Sequence, residues 1–70
     1  MEELRDIDQL KEIIKKVRKK KKIRQKDLAN FSNLSVFGIS KLERKGDDVK
    51  LSTVLKLTNL LGIKVYIDNE

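Results

Sequence analysis

Seventy residues without a cysteine, a histidine or a proline exclude a disulfide framework, a thiolate or imidazole metal site and imidazole base catalysis. They suffice for one small, mainly helical domain with a single core. Seventeen Lys and Arg against eleven Asp and Glu leave a net charge of +6, but the imbalance is local: nine of the twelve residues from Lys15 to Lys26 are basic and none is acidic.

The residues up to Glu12 carry five acids and two bases. A basic block of this density belongs with a polyanionic partner more than with solubility, and nucleic acid is the expected one. No long apolar run or cleavable leader is visible, so a soluble, cytoplasmic protein with no membrane role is expected.

The first periodic segment spans about residues 8–20. Leu10, Ile13, Ile14 and Val17 fall at i, i+3, i+4 and i+7, the stripe of an amphipathic helix. Asp8 stands where an N-cap belongs, Glu12 suits the positive end of the dipole, and lysines crowd its negative end. Residues 1–7 either extend this helix or fray. Lys21 to Arg24 then links to a second helix over 25–31, which turns Leu28 and the small Ala29 inward. Ser32 and Asn33 break it, asparagine tolerating the left-handed backbone of a sharp turn.

Ser35 is the expected N-cap of a third helix over 35–44. Ile39 and Leu42 share its buried face, while Val36, Phe37, Ser40, Lys41 and Arg44 point elsewhere. Two short helices joined this tightly read as a helix-turn-helix, the second helix entering a DNA major groove. Gly46 suits the stop of that helix, and Lys45 to Lys50 forms a loop. Ser52 is the expected cap of a fourth helix over 52–61, whose Val54, Leu55, Leu57, Leu60 and Leu61 make a wide apolar stripe ended by Gly62.

The period then changes. Ile63, Val65 and Ile67 alternate with Lys64, Tyr66 and Asp68, as in a half-buried strand over 63–68. No second strand is predicted, so this one wants a partner from another copy, with Ile63, Val65, Tyr66 and Ile67 as dimerisation residues. The alternative is an extended tail that packs its apolar face on the core.

Gln25 and Leu28-Ala29, then Ser35, Ile39, Leu42-Glu43 and Gly46, and finally "LSTVLKLTNLLGI", resemble the Xre/Cro class of bacterial and phage helix-turn-helix regulators, over about Leu10 to Ile67. Within that class the short chain, "GDDVKLSTVLKL" and the terminal "KVYID" are similar to HipB-like antitoxins. The resemblance implies a mostly α, four- to five-helix lambda-repressor-like domain over residues 1–70, with a short C-terminal β-strand used in dimerisation. It implies a nucleoid-associated homodimer on a palindromic operator in double-stranded DNA, repressing its own operon, with a HipA-like Ser/Thr kinase toxin as partner. It also implies a partly buried ion pair between Arg18 and Glu43 that fixes the first helix against the motif.

Three departures, at five positions, separate the chain from the class. Arg24 stands where a Thr or Ser cap is usual, leaving that cap missing or supplied by water. Ser32 takes a position that is usually apolar, with Phe31 next door to fill the gap. Val36, Phe37 and Gly38 replace polar side chains at the reading end of the third helix. Val36 and Phe37 serve either as further core or partner contacts or as apolar contacts to thymine methyl groups. Gly38 inside a helix costs roughly 1 kcal/mol against Ala.

The expected contacts sort by chemistry. Arg24, Gln25 and Lys26 lie at the second helix N-terminus, where backbone N–H groups and dipole favour phosphate. Ser35 caps, binds phosphate, or does both. Lys41 is the first candidate for a hydrogen bond to guanine and Ser40 an adaptable second; Arg44 and Lys45 suit the DNA backbone. Lys19 to Lys22 follow flanking DNA or form a solvated surface. Three functions fit: an antitoxin that autoregulates its operon, a free-standing repressor without a toxin, and a degenerate motif binding only RNA or protein. An enzyme fits poorly, with no glycine-rich phosphate loop and no paired carboxylates. No cofactor and no metal are expected.

Overall fold

The computed structural model describes residues 2–69, and among them places four helices: α1 Ile7–Lys20, α2 Gln25–Ser32, α3 Val36–Glu43 and α4 Leu51–Leu60. α1 packs on α3, and α2 on both α3 and α4. The core between them is Leu10, Ile14, Leu28, Ala29, Ile39, Leu42, Val54, Leu57 and Leu61, with Val17, Ile23, Leu34, Val49 and Ile63 half-buried against it.

Each helix start follows from a local acceptor or its absence. α1 begins one residue before the predicted Asp8. Its cap is Asp6, whose carboxylate accepts from the Gln9 backbone N–H at 2.8 Å. Gln9 also ties down the preceding residues: its Oε1 accepts from Arg5 N–H and its Nε2 donates to the Glu3 carbonyl. Residues 2–6 are therefore tied to the first turn without being helical, while Met1 lies outside the described residues. Ser52 does not cap α4. That helix starts at Leu51 behind Lys50, which supplies no side-chain acceptor.

Three helices end in the same way. Lys22, Asn33 and Gly62 take left-handed backbones, with φ of 59°, 61° and 75°. The N–H of the following apolar residue then reaches back five positions: Ile23 to Arg18, Leu34 to Ala29 and Ile63 to Thr58, at 3.0, 3.0 and 2.8 Å. This is the Schellman termination, in which the apolar residue past the turn folds onto the core.

Three further expectations are corrected. The stripe of α4 is narrower than predicted, because Leu55 and Leu60 are exposed and Thr58 is buried in their stead. Phe31 does not fill the space beside Ser32; it is exposed, and the fully buried Ser32 instead donates its hydroxyl to the Ala29 carbonyl at 3.3 Å. The predicted strand over 63–68 is absent, and no strand occurs among the described residues. Ile63 packs half-buried against this chain's own core, but Val65, Tyr66 and Ile67 run out exposed, Ile67 by 86%. Period-2 alternation organises a strand only where a neighbour accepts its ladder, and this fold presents none.

Candidate nucleic-acid interface

α3 buries Ile39 and Leu42 and turns the opposite arc outward. Val36 and Ser40 stand one turn apart on that arc, with Phe37 and Lys41 in the next row; Arg44 and Lys45 follow just past the last turn. All six are exposed, Phe37 by 72%. Val36 and Phe37 therefore take no part in this chain's own core, which leaves them for a ligand or partner. Ser35 caps the helix, its Oγ accepting from Gly38 N–H at 2.9 Å while its own proton stays free to donate. A Cβ on Gly38 would sit 3.3 Å from that Oγ. Glycine here keeps the cap uncrowded, a local reason for a residue that otherwise weakens a helix.

The back of α3 is held by a buried carboxylate that joins three helices. Arg18 Nε donates to Glu43 Oε2 at 2.6 Å and Arg18 Nη2 to Glu43 Oε1 at 3.1 Å, the two side chains being 8% and 3% exposed. Arg18 Nη1 also donates to the Ile23 carbonyl. Gln25 Nε2 reaches Glu43 Oε1 at 3.1 Å. Gln25 is thus half-buried and turned toward the scaffold. This contact forms because an acceptor inside the fold lies within reach of a side chain at the start of α2, where a phosphate contact is expected.

At the start of α2, Arg24 is exposed and has no acceptor to offer the first turn. Asp27 supplies the reciprocal half of a capping box: its Oδ2 accepts from both the backbone N–H and Nε of Arg24, each at 3.2 Å. Those bonds hold the Asp27 carboxyl below the ordinary aspartate range. The first intrahelical bond runs from Leu28 N–H to the Arg24 carbonyl. The N–H groups of Gln25, Lys26 and Asp27 precede it and point out with the positive end of the dipole, beside the exposed Lys26.

Sequence reasoning missed a second brace. Lys11 is charged yet only 1% exposed, and its Nζ donates to the carbonyls of Arg44, at 3.0 Å, and of Asp47. The ammonium thereby satisfies the orphan carbonyl that closes α3, the place where a cation is favoured by the helix dipole. Asp8, freed from capping, accepts from Gly46 N–H at 3.1 Å. Arg44 Nε pairs with Asp47 Oδ2 at 2.8 Å, which lowers the Asp47 pKa and occupies part of the guanidinium expected to face DNA. A signal for this brace was present: Lys11 and Arg18 are seven apart, on the same face as Ile14.

Residues 14–66 match the family model described as Helix-turn-helix (HTH_3). Two solved structures are similar in fold. One is a HipB variant in complex with an O2 20mer, 23% identical with a TM-score of 0.87, the alignment covering 99% of this chain and 96% of that one. The other is a chain of a HipA-HipB-O2-O3 complex, also 23% identical at a TM-score of 0.87, covering 99% of this chain and 97% of that one. No curated protein sequence matches this chain.

Proposed function

This chain belongs to the Xre-type helix-turn-helix family (HTH_3), and from that premise we propose that it is a sequence-specific, double-stranded-DNA-binding autorepressor and the antitoxin of a HipA-like Ser/Thr kinase. The observation that carries the DNA reading is the exposed arc of α3, with Val36, Phe37, Ser40 and Lys41 outward and Glu43 clamped behind by Arg18 and Gln25. A reading helix held this way keeps its side chains in register with base edges instead of losing affinity to mobility. Likeness to a HipB–O2 complex supports the same reading, and likeness to a HipA-HipB-O2-O3 complex supports the kinase partner.

In this reading Lys41 donates to guanine, Ser40 adapts to its neighbour, and Val36 and Phe37 contact thymine methyl groups. Lys26, Ser35, Arg24 and Lys45, with the free N–H groups of α2, hold phosphates; Arg44 shares its guanidinium between phosphate and Asp47. The protein acts as a two-fold homodimer, so that two copies of α3 about 34 Å apart meet a palindromic operator. The exposed Val65, Tyr66 and Ile67, together with Leu51 and Leu55 on α4, are the apolar surface such a dimer would cover.

Selection of bound duplexes from a random pool, followed by anisotropy titration, tests this. Lys41→Ala erodes discrimination between sites, whereas Lys26→Ala weakens every site alike. Recovery of no consensus, or a changed consensus with Lys26→Ala, refutes the assignment. Co-purification with a kinase encoded beside this gene separates an antitoxin from a free-standing repressor. Binding to RNA or protein only is the second reading, favoured by the two exposed phenylalanines, Phe31 and Phe37. It predicts no sequence consensus.

A further inference from the structure

The α1–α2 turn departs from local rules in a way the reading helix does not explain. Of the three left-handed terminations, two carry the residues that tolerate that backbone, Asn33 and Gly62, but the third carries Lys22 at φ 59°. A lysine there is strained by its Cβ, where glycine would be relaxed. Lys22 also closes a run of exposed lysines, Lys19, Lys20 and Lys21, with Lys16 one turn earlier. Among the described residues none of these five forms an ion pair, and the acids of the same helix, Asp8 and Glu12, lie about two turns or more before Lys19 to Lys22. Packing like charges together without partners is unfavourable in the free protein. Strain and repulsion thus coincide on one turn.

That turn leads within three residues into Gln25, the start of α2, where the unpaired N–H groups and Lys26 lie. Lys21 is set apart from its neighbours: its Nζ would lie 3.7 Å from a Cβ on Gly62, at the C-terminal end of α4, where a cation serves the helix end.

Resting on the DNA reading above, we propose that Lys19, Lys20 and Lys22 form a second phosphate-binding strip, which grips the backbone of the duplex flanking the bases read by α3. A DNA strand supplies the regularly spaced negative charge that relieves the repulsion, and neutralising each phosphate releases counterions. The strip contributes affinity without sequence preference. The left-handed lysine is kept because its charge is needed at that point of the turn.

Lys22→Gly is the decisive variant, because it relaxes the backbone while removing the charge. Thermal unfolding of the full chain should show a Tm raised by a few degrees. Titration of a selected duplex should show affinity lowered by roughly five- to tenfold per bound protomer at 0.1 M salt, and a log–log salt slope shallower by about 0.9 per protomer. The consensus should not change. On a duplex trimmed to the bases under α3 the loss should disappear, since the flanking phosphates are gone. Lys19→Gln and Lys20→Gln should act in the same direction, whereas Lys21→Gln should lower Tm and leave the salt slope unchanged. If the wild type binds duplex DNA and Lys22→Gly binds equally well with an unchanged slope, the strip does not exist and the DNA reading stands. If the wild type binds no duplex at any salt, the DNA reading fails and the strip fails with it.

Discussion

Replacing Arg18 by Met tests what holds α3 in place. The substitution keeps the apolar stem in the core and removes the guanidinium, so Glu43 is left buried with Gln25 Nε2 as its remaining donor. Stranding one charge of a buried pair costs about 3 kcal/mol. For a 70-residue chain the total stability is roughly 4–10 kcal/mol, so the single change removes a large share of it. At about 4–8 °C per kcal/mol in a domain of this size, Tm should fall by roughly 12–24 °C. Glu43→Leu strands Arg18 instead, which keeps only the Ile23 carbonyl, and should cost about as much. The double variant Arg18→Met/Glu43→Leu strands nothing and should lose far less than the sum, a coupling of about 2–3 kcal/mol. Urea titrations followed by far-UV circular dichroism measure all four corners of the cycle. Additive losses, each below about 1 kcal/mol, would mean that the pair behaves as an exposed one and that α3 is braced by packing alone.

Lys11→Met leaves the Arg44 and Asp47 carbonyls without their donor and should cost about 2 kcal/mol, with faster hydrogen exchange at Gly46 N–H; a variant as stable as the wild type would show that apolar burial compensates. Asp27 has a folded pKa below its unfolded one, so its contribution is complete above about pH 4 and is lost as pH falls through the lower folded value. An NMR titration should find its carboxyl titrating below that of a free aspartate, and Arg24→Ala should return it to the ordinary range; no movement would show that the α2 start owes nothing to this contact.

Features whose partners lie within one or two turns were legible from the sequence. Ser35 needs only Gly38 N–H three residues on, and Asn33 and Gly62 need only their own backbone angles, so each was readable in place; Gly46, expected to stop α3, lies beyond its end, where the extended Arg44 is the cap. The stripe through Leu10, Ile14, Leu28, Ile39, Leu42, Val54 and Leu57 was readable for the same reason, since period alone decides which face is apolar. The arc of α3 came with it: if Ile39 and Leu42 go in, Val36, Phe37, Ser40 and Lys41 must come out. Tertiary structure decided everything that depends on what a side chain meets across the fold. Lys11 is buried because the carbonyls it satisfies arrive 33 and 36 residues later. Gln25 braces Glu43 because that carboxylate comes within reach from another helix. Asp8 binds a loop 38 residues away, which left the cap of α1 to Asp6. Leu55 and Leu60 stay wet because, among the described residues, no element covers their side of α4. The alternation from Ile63 to Asp68 is a strand pattern in every local respect, but a strand exists only by pairing, and among the described residues the chain offers it no edge.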